Sequence, residues 1–86
     1  MKPERGTVVC SKAGRDKGYF MTVIKVDDGI VYVCDGKERP LENPKKKNVK
    51  HIFSTDCVLS DNQLMTNRSI RHALSDFRAT GAKGEV

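Results

Sequence analysis

Basic side chains are concentrated in two separate stretches of the sequence. Residues 12–18 hold three basic residues and one acidic residue, and residues 37–51 hold six basic and two acidic residues, so the local net charges are +2 and +4 in a chain of net charge +5. Clustered cations suit the phosphates of a nucleic acid, because each neutralised phosphate releases condensed counterions. This concentration favours a polyanionic partner. The alternative for each stretch is a solvated charged face.

Nine cations and one histidine are the candidate nucleic-acid contacts. Arginine can grip a phosphate with two hydrogen bonds, whereas lysine acts as a point charge. His51 has two open interpretations: it contacts the nucleic acid by hydrogen bonding or stacking, or it points inward and is satisfied by backbone. The expected nucleic-acid contacts are Lys12, Arg15, Lys17, Lys37, Arg39, Lys45, Lys46, Lys47, Lys50 and His51.

Catalysis and metal binding have weak support in the sequence. Cys57 lies beside Asp56, and His51 comes six residues earlier, but a strand end and a loop give these residue types no fixed geometry. No Gly-rich phosphate loop is present, and the three widely spaced cysteines form no Cys-x-x-Cys pair that could join the histidines in a zinc site. We therefore expect no catalytic residue, no metal and no cofactor.

Length and composition indicate one small domain in a reducing compartment. A chain of 86 residues buries about 60 to 65 per cent of its unfolded surface. The number of cysteines is odd, and the polar N-terminus does not resemble a signal peptide. Both observations favour the reducing cytoplasm. No apolar run approaches the roughly 18 residues that a membrane span requires, so we expect no membrane association.

The first half of the chain has a strand-rich pattern. The β-branched and aromatic runs predict strands at residues 6–11, 19–26 and 30–34. Gly14 and Gly18 allow a bend at each end of the basic loop, and the Asp-Asp-Gly sequence at 27–29 predicts a hairpin turn. Since residues 30–34 are apolar throughout, both faces of this strand should be buried.

The second half is predicted to hold two more strands and a helix. Residues 37–41 should form a short edge strand, 42–48 a loop exposing the lysine triplet, and 49–53 the closing strand, in which Val49, His51 and Phe53 share one face. Residues 54–61 are expected to be a linker. A helix should run from about 67 to 78, capped by Thr66 or Asn67, with a stripe that docks on the sheet, namely Ile70, Ala73, Leu74 and Phe77.

Two separated blocks of this sequence resemble a known family. The stretch GTVVCSKAGRDKGYFMTVI (residues 6–24) resembles the KOW motif of large-subunit ribosomal proteins and transcription elongation factors, and DGKERPL (35–41) with PKKKNVKH (44–51) is similar to a group of short bacterial KOW-domain RNA-binding proteins. The resemblance implies a mainly β fold, a small SH3-like barrel of KOW type with a C-terminal α-helix. The expected organisation is a polar lead-in at 1–5, the barrel at 6–54, a linker and helix at 55–79, and a flexible tail at 80–86.

The expected function is non-catalytic binding of structured RNA, with ribosomal RNA as the partner that the resemblance implies. No helix carries Asn, Gln or Arg placed to read a major groove. The five aromatic residues mostly occupy positions that the core needs, so base stacking should not dominate. We expect a monomer when free, with ribosomal proteins as possible neighbours. The alternative is a protein-interaction module that contacts an acidic surface of the transcription or translation machinery.

Overall fold

The computed structural model describes residues 2–81 of the chain. Within them lie five strands and one helix: β1 (Thr7–Ser11), β2 (Phe20–Asp27), β3 (Ile30–Cys34), β4 (Lys45–Asn48), β5 (Ile52–Val58) and α1 (Asn67–Asp76). Short 3₁₀ turns occur at Val49–His51 and Asn62–Leu64, and a π-helical turn, Phe77–Gly81, follows α1. The predicted mainly β fold with a C-terminal helix is confirmed.

The strands form one antiparallel sheet in the order β4-β3-β2-β1-β5. β1 pairs with β2 on one side and with β5 on the other, so the last strand returns beside the first. β4 and β5 are the edges, and in the described part of the chain the sheet is not closed. The β2–β3 pairing shifts between Val23 and Lys25, and such a bulge bends the strand and increases its twist.

A two-residue turn at Asp28 and Gly29 joins β2 to β3. The φ angles of these residues are +47° and +85°, and a type I′ turn needs positive φ at both central positions. Asp27 pairs with Ile30 directly across the turn. The predicted hairpin turn is confirmed, and it sets the register of the whole hairpin.

Each face of the sheet carries an apolar cluster, and β3 contributes to both: Val31 and Val33 to one and Cys34 to the other, while Ile30 and Tyr32 are half-buried. Successive residues of a strand point to opposite faces, so the neighbours Val8 and Val9 enter different clusters. The inner cluster consists of Val9, Met21, Val23, Val31, Val33 and Ile52. The helix-side cluster consists of Val8, Cys34, Leu59, Leu64, Ile70, Ala73 and Leu74.

Helix α1 begins at the predicted position with Thr66 as its N-cap. The Thr66 hydroxyl accepts a hydrogen bond from the Ser69 N–H (3.0 Å), and the Ser69 hydroxyl accepts one from the Thr66 N–H (3.1 Å). This reciprocal pair is a capping box. Past the helix end, the rings of Phe77 and Phe20 meet edge to face with centroids 5.2 Å apart. The predicted stripe is therefore docked on the sheet, with Ile70, Ala73 and Leu74 buried.

The fourth strand does not lie at residues 37–41, as the sequence predicts. There the Asp35 carboxylate accepts hydrogen bonds from the N–H groups of Lys37 (2.8 Å) and Arg39 (2.9 Å). These amides close a turn and are not available to a strand ladder. The predicted exposed loop at 42–48 is confirmed only for residues 42–44 and is wrong for 45–48, because the lysine triplet is part of β4 and pairs with β3.

A 3₁₀ turn replaces the start of the predicted closing strand. The side-chain oxygen of Asn48 accepts a hydrogen bond from the Lys50 N–H (2.9 Å) and caps the turn. Pairing with β1 is therefore delayed until Ile52. Strand β5 continues to Val58, so the first half of the predicted linker at 54–61 is part of the sheet.

The segment after β3 is fastened to the start of α1. The Asn67 side chain accepts a hydrogen bond from the Leu41 N–H (2.7 Å) and donates one to the Glu42 carboxylate (3.0 Å). The contact with Asn67 lowers the pKa of Glu42. Gly36 is buried with φ at +79°, and a Cβ there would collide with the backbone carbonyl of Asn67. The turn thus lies against the helix at a point where only glycine fits.

The two ends of the chain are only partly described. Before β1, the Thr7 hydroxyl accepts a hydrogen bond from the Glu4 N–H (2.9 Å), and the Thr7 N–H donates to the Glu4 carbonyl (2.9 Å). This part of the predicted lead-in therefore forms a turn. Met1 and residues 82–86, most of the predicted tail, lie outside the described residues.

Candidate nucleic-acid interface

The basic loop between β1 and β2, residues 12–18, is closed by backbone hydrogen bonds. The Ser11 N–H donates to the Tyr19 carbonyl (3.0 Å), and the Gly18 N–H donates to the Ser11 carbonyl (2.8 Å). The φ angles of Gly14 and Gly18 are +80° and +89°, as expected for the two bends. The loop exposes Lys12, Arg15 and Lys17.

The two basic stretches of the sequence lie against each other. The Lys12 N–H donates to the His51 carbonyl (2.8 Å), which extends the β1–β5 pairing by one residue. From the opposite edge of the sheet, the Lys47 ammonium donates to the Ala13 carbonyl (3.0 Å). Loop 12–18 therefore contacts both β4 and the 3₁₀ turn that follows it. We call the exposed cations of these three segments the basic surface; they are Lys12, Arg15 and Lys17 of the loop, Lys46 of β4 and Lys50 of the turn.

Lys47 differs from the other lysines of the triplet because it is buried. It pairs with Val31, so its aliphatic stem lies on the face of the inner cluster. Its ammonium group ends at the Ala13 carbonyl, which also accepts a hydrogen bond from the Ser11 hydroxyl (2.9 Å). The prediction of Lys47 as an exposed RNA contact is therefore corrected: it ties β4 to the basic loop.

Lys46 is exposed on the other face of β4, while Lys45 is half-buried. Tyr32 lies directly opposite Lys46 on one side and opposite Lys25 on the other. The Lys25 ammonium is 5.6 Å from the centroid of the Tyr32 ring, within the range of a cation–π contact. Sequence reasoning missed Lys25, although the two-residue β2–β3 turn already places it opposite Tyr32.

Arg39 is held by a carboxylate of the basic loop. Its Nη2 lies 3.7 Å from Oδ1 of Asp16, and the two side chains are 32% and 12% exposed. The Nε of Arg39 is buried and has no hydrogen-bond partner among the described residues. The sequence predicts that Arg39 binds phosphate with two hydrogen bonds. In the structure its guanidinium instead contacts Asp16 and anchors the loop to the turn at residues 35–39.

Lys37 belongs to a different basic group, beside α1. It lines an open cleft of about 410 Å³ together with Arg71 and Arg78. The Arg71 guanidinium donates a hydrogen bond to the Gly36 carbonyl (2.8 Å). Two carboxylates, Asp35 and Asp76, also line the cleft, so it is less positive than the basic surface.

Aromatic side chains are more exposed than the sequence predicts. Phe53 is 61% exposed and Tyr19 is 57% exposed. His51 is also exposed, which rules out the inward orientation that the sequence left open. Val49 packs against the inner cluster, so the predicted shared face of these closing-strand residues is wrong: the 3₁₀ turn breaks the alternation.

The thiols lie in environments that keep them protonated. Burial, and secondly the charge of Asp35, raises the pKa of Cys34 to about 11. Burial also raises the pKa of Cys10 and of Cys57. His51 and Cys57 lie at opposite ends of β5, roughly 20 Å apart at about 3.3 Å per residue. A Cys–His catalytic pair is therefore not formed by these two residues.

The described residues contain neither a group of metal ligands nor a membrane-spanning helix. Among residues 2–81, no three His, Cys, Asp or Glu side chains are grouped in a way that could hold a metal ion. No helix in the same range has the length and apolar character needed to cross a bilayer. The chemistry available at this surface is the binding of anions by cations and the stacking of exposed rings.

No model of a known protein family matches the chain, and no match was found among curated protein sequences.

Proposed function

We propose that this chain is a non-catalytic RNA-binding protein of the cytoplasm that binds structured RNA, ribosomal RNA in particular, through the basic surface. The observation that carries the proposal is the contact between the two basic stretches, made by the Lys12–His51 and Lys47–Ala13 hydrogen bonds (2.8 and 3.0 Å). Segments that carry cations and are far apart in the sequence are thereby held in contact. A phosphate path can touch several of them at once.

The internal bonds of this region fix its backbone and leave the cations that matter exposed. The carbonyls of Ala13 and His51 accept the connecting hydrogen bonds, so the surface lysines are not used to assemble the site. Because the backbone is already ordered, it loses little conformational entropy when RNA binds. The surface should therefore bind a preformed RNA shape.

We further propose that this five-stranded sheet has the architecture of an SH3-like barrel of the KOW type, although its two edge strands are not paired with each other. Three features support it: β5 returns beside β1, an inner cluster fills one face of the sheet, and Lys47 spans from edge strand β4 to the β1–β2 loop. The KOW resemblance of residues 6–24 and 35–51 implies the same architecture. The same resemblance is our reason for proposing ribosomal RNA as the ligand and a role in translation.

Binding of RNA is favoured over reading of a DNA major groove. The cations of the basic surface lie in loop 12–18, in β4 and in a 3₁₀ turn, and none of them is on α1, whereas a recognition helix presents its own side chains to base edges. A surface of lysines and one arginine contacts phosphates, which fixes position but carries little sequence information. Low sequence specificity is expected for the isolated protein.

A salt titration with a charge-matched control tests the proposal. The surface variant carries Lys12→Gln, Lys46→Gln and Lys50→Gln; the control carries Lys37→Gln, Arg68→Gln and Arg78→Gln. Both lose the same charge. In filter binding to a structured ribosomal RNA fragment, the surface variant should lower the slope of log affinity against log salt by about 2 to 3. The control should bind within about threefold of wild type, because its three charges lie on α1 or at the cleft beside it and are not part of the basic surface.

Equal losses in the two triple variants would contradict a localised site. Absence of RNA binding by the wild-type protein at low salt would refute the function itself. Pull-down of ribosomes with and without RNase distinguishes RNA binding from the alternative, a protein-interaction module. A partner that stays bound after RNase treatment, and that the surface variant does not bind, is an acidic protein.

A further inference from the structure

Phe53 is an exposed aromatic side chain near the start of β5. It lies on edge strand β5 and pairs with Cys10 of β1, which in turn pairs with Phe20 of β2. Phe20 is covered by Phe77, but Phe53 is 61% exposed. The row of residues across three strands thus ends in a ring that no further strand of the described chain covers.

This ring lies next to the basic surface. Lys12 comes two residues after Cys10, and His51 comes two residues before Phe53; the two are joined by the Lys12 N–H to His51 carbonyl bond (2.8 Å). Two residues of extended chain span about 7 Å. Cations and an exposed ring are therefore spaced so that one nucleotide can place its phosphate on the former and its base on the latter.

We propose that Phe53 is a stacking platform for an unpaired nucleobase, so that the RNA bound by the basic surface carries a bulged or looped-out nucleotide beside its helical part. This inference rests on the proposed function and narrows its substrate class. A base inside a duplex has both faces stacked, so only an unpaired one can cover the ring. Stacking of this kind tolerates any base, since each has a π-face.

The surroundings of Phe53 favour a nucleobase over an apolar protein surface. The other exposed apolar residue of β5, Val58, lies five residues away at the far end of the strand, and Ser54 and Thr55 follow the ring in the sequence. Interfaces with proteins are depleted of charge at their centre, whereas this ring lies beside Lys12 and Lys50. A single ring among cations matches the pattern of single-stranded RNA binding.

Two blunt-ended RNA duplexes without a loop test the inference, one fully paired and one with a single bulged nucleotide, so that their charges differ by one phosphate. Wild-type protein should bind the bulged duplex about 5- to 100-fold more tightly. Phe53→Ala should remove this preference, whereas Phe53→Tyr should keep it. Val58→Ala is the matched control on the same strand and should behave as wild type. Circular dichroism confirms that each variant is folded.

The outcomes separate the inference from the function on which it rests. If wild type binds both duplexes equally and Phe53→Ala matches it, stacking is refuted while RNA binding stands. If wild type binds neither duplex at low salt, the proposed function is refuted. If Phe53→Ala keeps the RNA preference but loses a protein partner in RNase-treated extract, the ring is a protein contact and the inference is wrong.

Discussion

Neighbouring lysines of one triplet should have different roles, and this can be measured. Lys47 is buried, with its ammonium group 3.0 Å from the Ala13 carbonyl, whereas Lys46 is exposed. Methionine is the useful replacement, because it keeps much of the apolar stem and removes the charge. Lys47→Met should therefore affect folding, and Lys46→Met should affect RNA binding.

The size of the folding effect follows from the contacts. A hydrogen bond with a charged donor contributes about 1.5 to 3 kcal/mol. The Ala13 carbonyl keeps the Ser11 hydroxyl as a donor, so no buried acceptor is left unsatisfied, and the lower part of that range applies. We expect Lys47→Met to lower the free energy of unfolding by about 1 to 2 kcal/mol, and Tm by about 4 to 8 °C per kcal/mol. Lys46→Met should stay within about 0.5 kcal/mol of wild type.

Urea unfolding and salt-dependent RNA binding together provide the assay. Well below its Tm, Lys47→Met should bind RNA within about twofold of wild type, while Lys46→Met should reduce the magnitude of the salt slope by about 1. The opposite pattern, a Lys47→Met protein of unchanged stability that has lost RNA affinity, would refute the assignment of Lys47 as a structural tie. It would return this residue to the binding surface.

Three further predictions concern stability and reactivity. In urea unfolding, Gly36→Ala should destabilise by roughly 3 kcal/mol or more because its Cβ meets the helix backbone, while Gly18→Ala, at similar φ but in open space, should lose only about 1 to 2 kcal/mol. Thr66→Ala should lose about 1 kcal/mol with the capping box, whereas the exposed helix variant Ser75→Ala should lose none. Cys34, with a pKa of about 11, should resist iodoacetamide at pH 8 in the folded protein by mass spectrometry. Because its unfolded thiol ionises near pH 9, stability should fall between pH 9 and 11, by at most about 1.4 kcal/mol per pH unit.

The features that sequence alone predicted are those set by local chemistry. The β-branched runs give β1 to β3, and the Asp28-Gly29 pair gives the turn that joins two of them. The helix start follows from Thr66, whose hydroxyl can satisfy a free helix N–H. The loop glycines and the juxtaposition of the basic stretches also follow the expectation.

The features that were mispredicted depend on partners distant in the sequence. The lysine triplet looks like a loop because it has no apolar residue, but its backbone pairs with β3, and the Lys47 stem supplies the apolar contact. A side-chain cap from Asn48 converts the next three residues into a 3₁₀ turn. That shift leaves Phe53 outside the core, which strict alternation would have buried. Asp16 likewise finds Arg39 only in the folded chain.

The position of β1 in the sheet has a kinetic consequence. This strand lies between β2 and β5, and its pairing of Thr7 with Val58 joins residues about fifty positions apart in the chain. Closing so long a loop is entropically unfavourable, and contacts of this separation slow folding. The first strand in the sequence is therefore the last to gain both of its neighbours. Because β1 is paired on both sides, its amides should exchange with deuterium only through global unfolding.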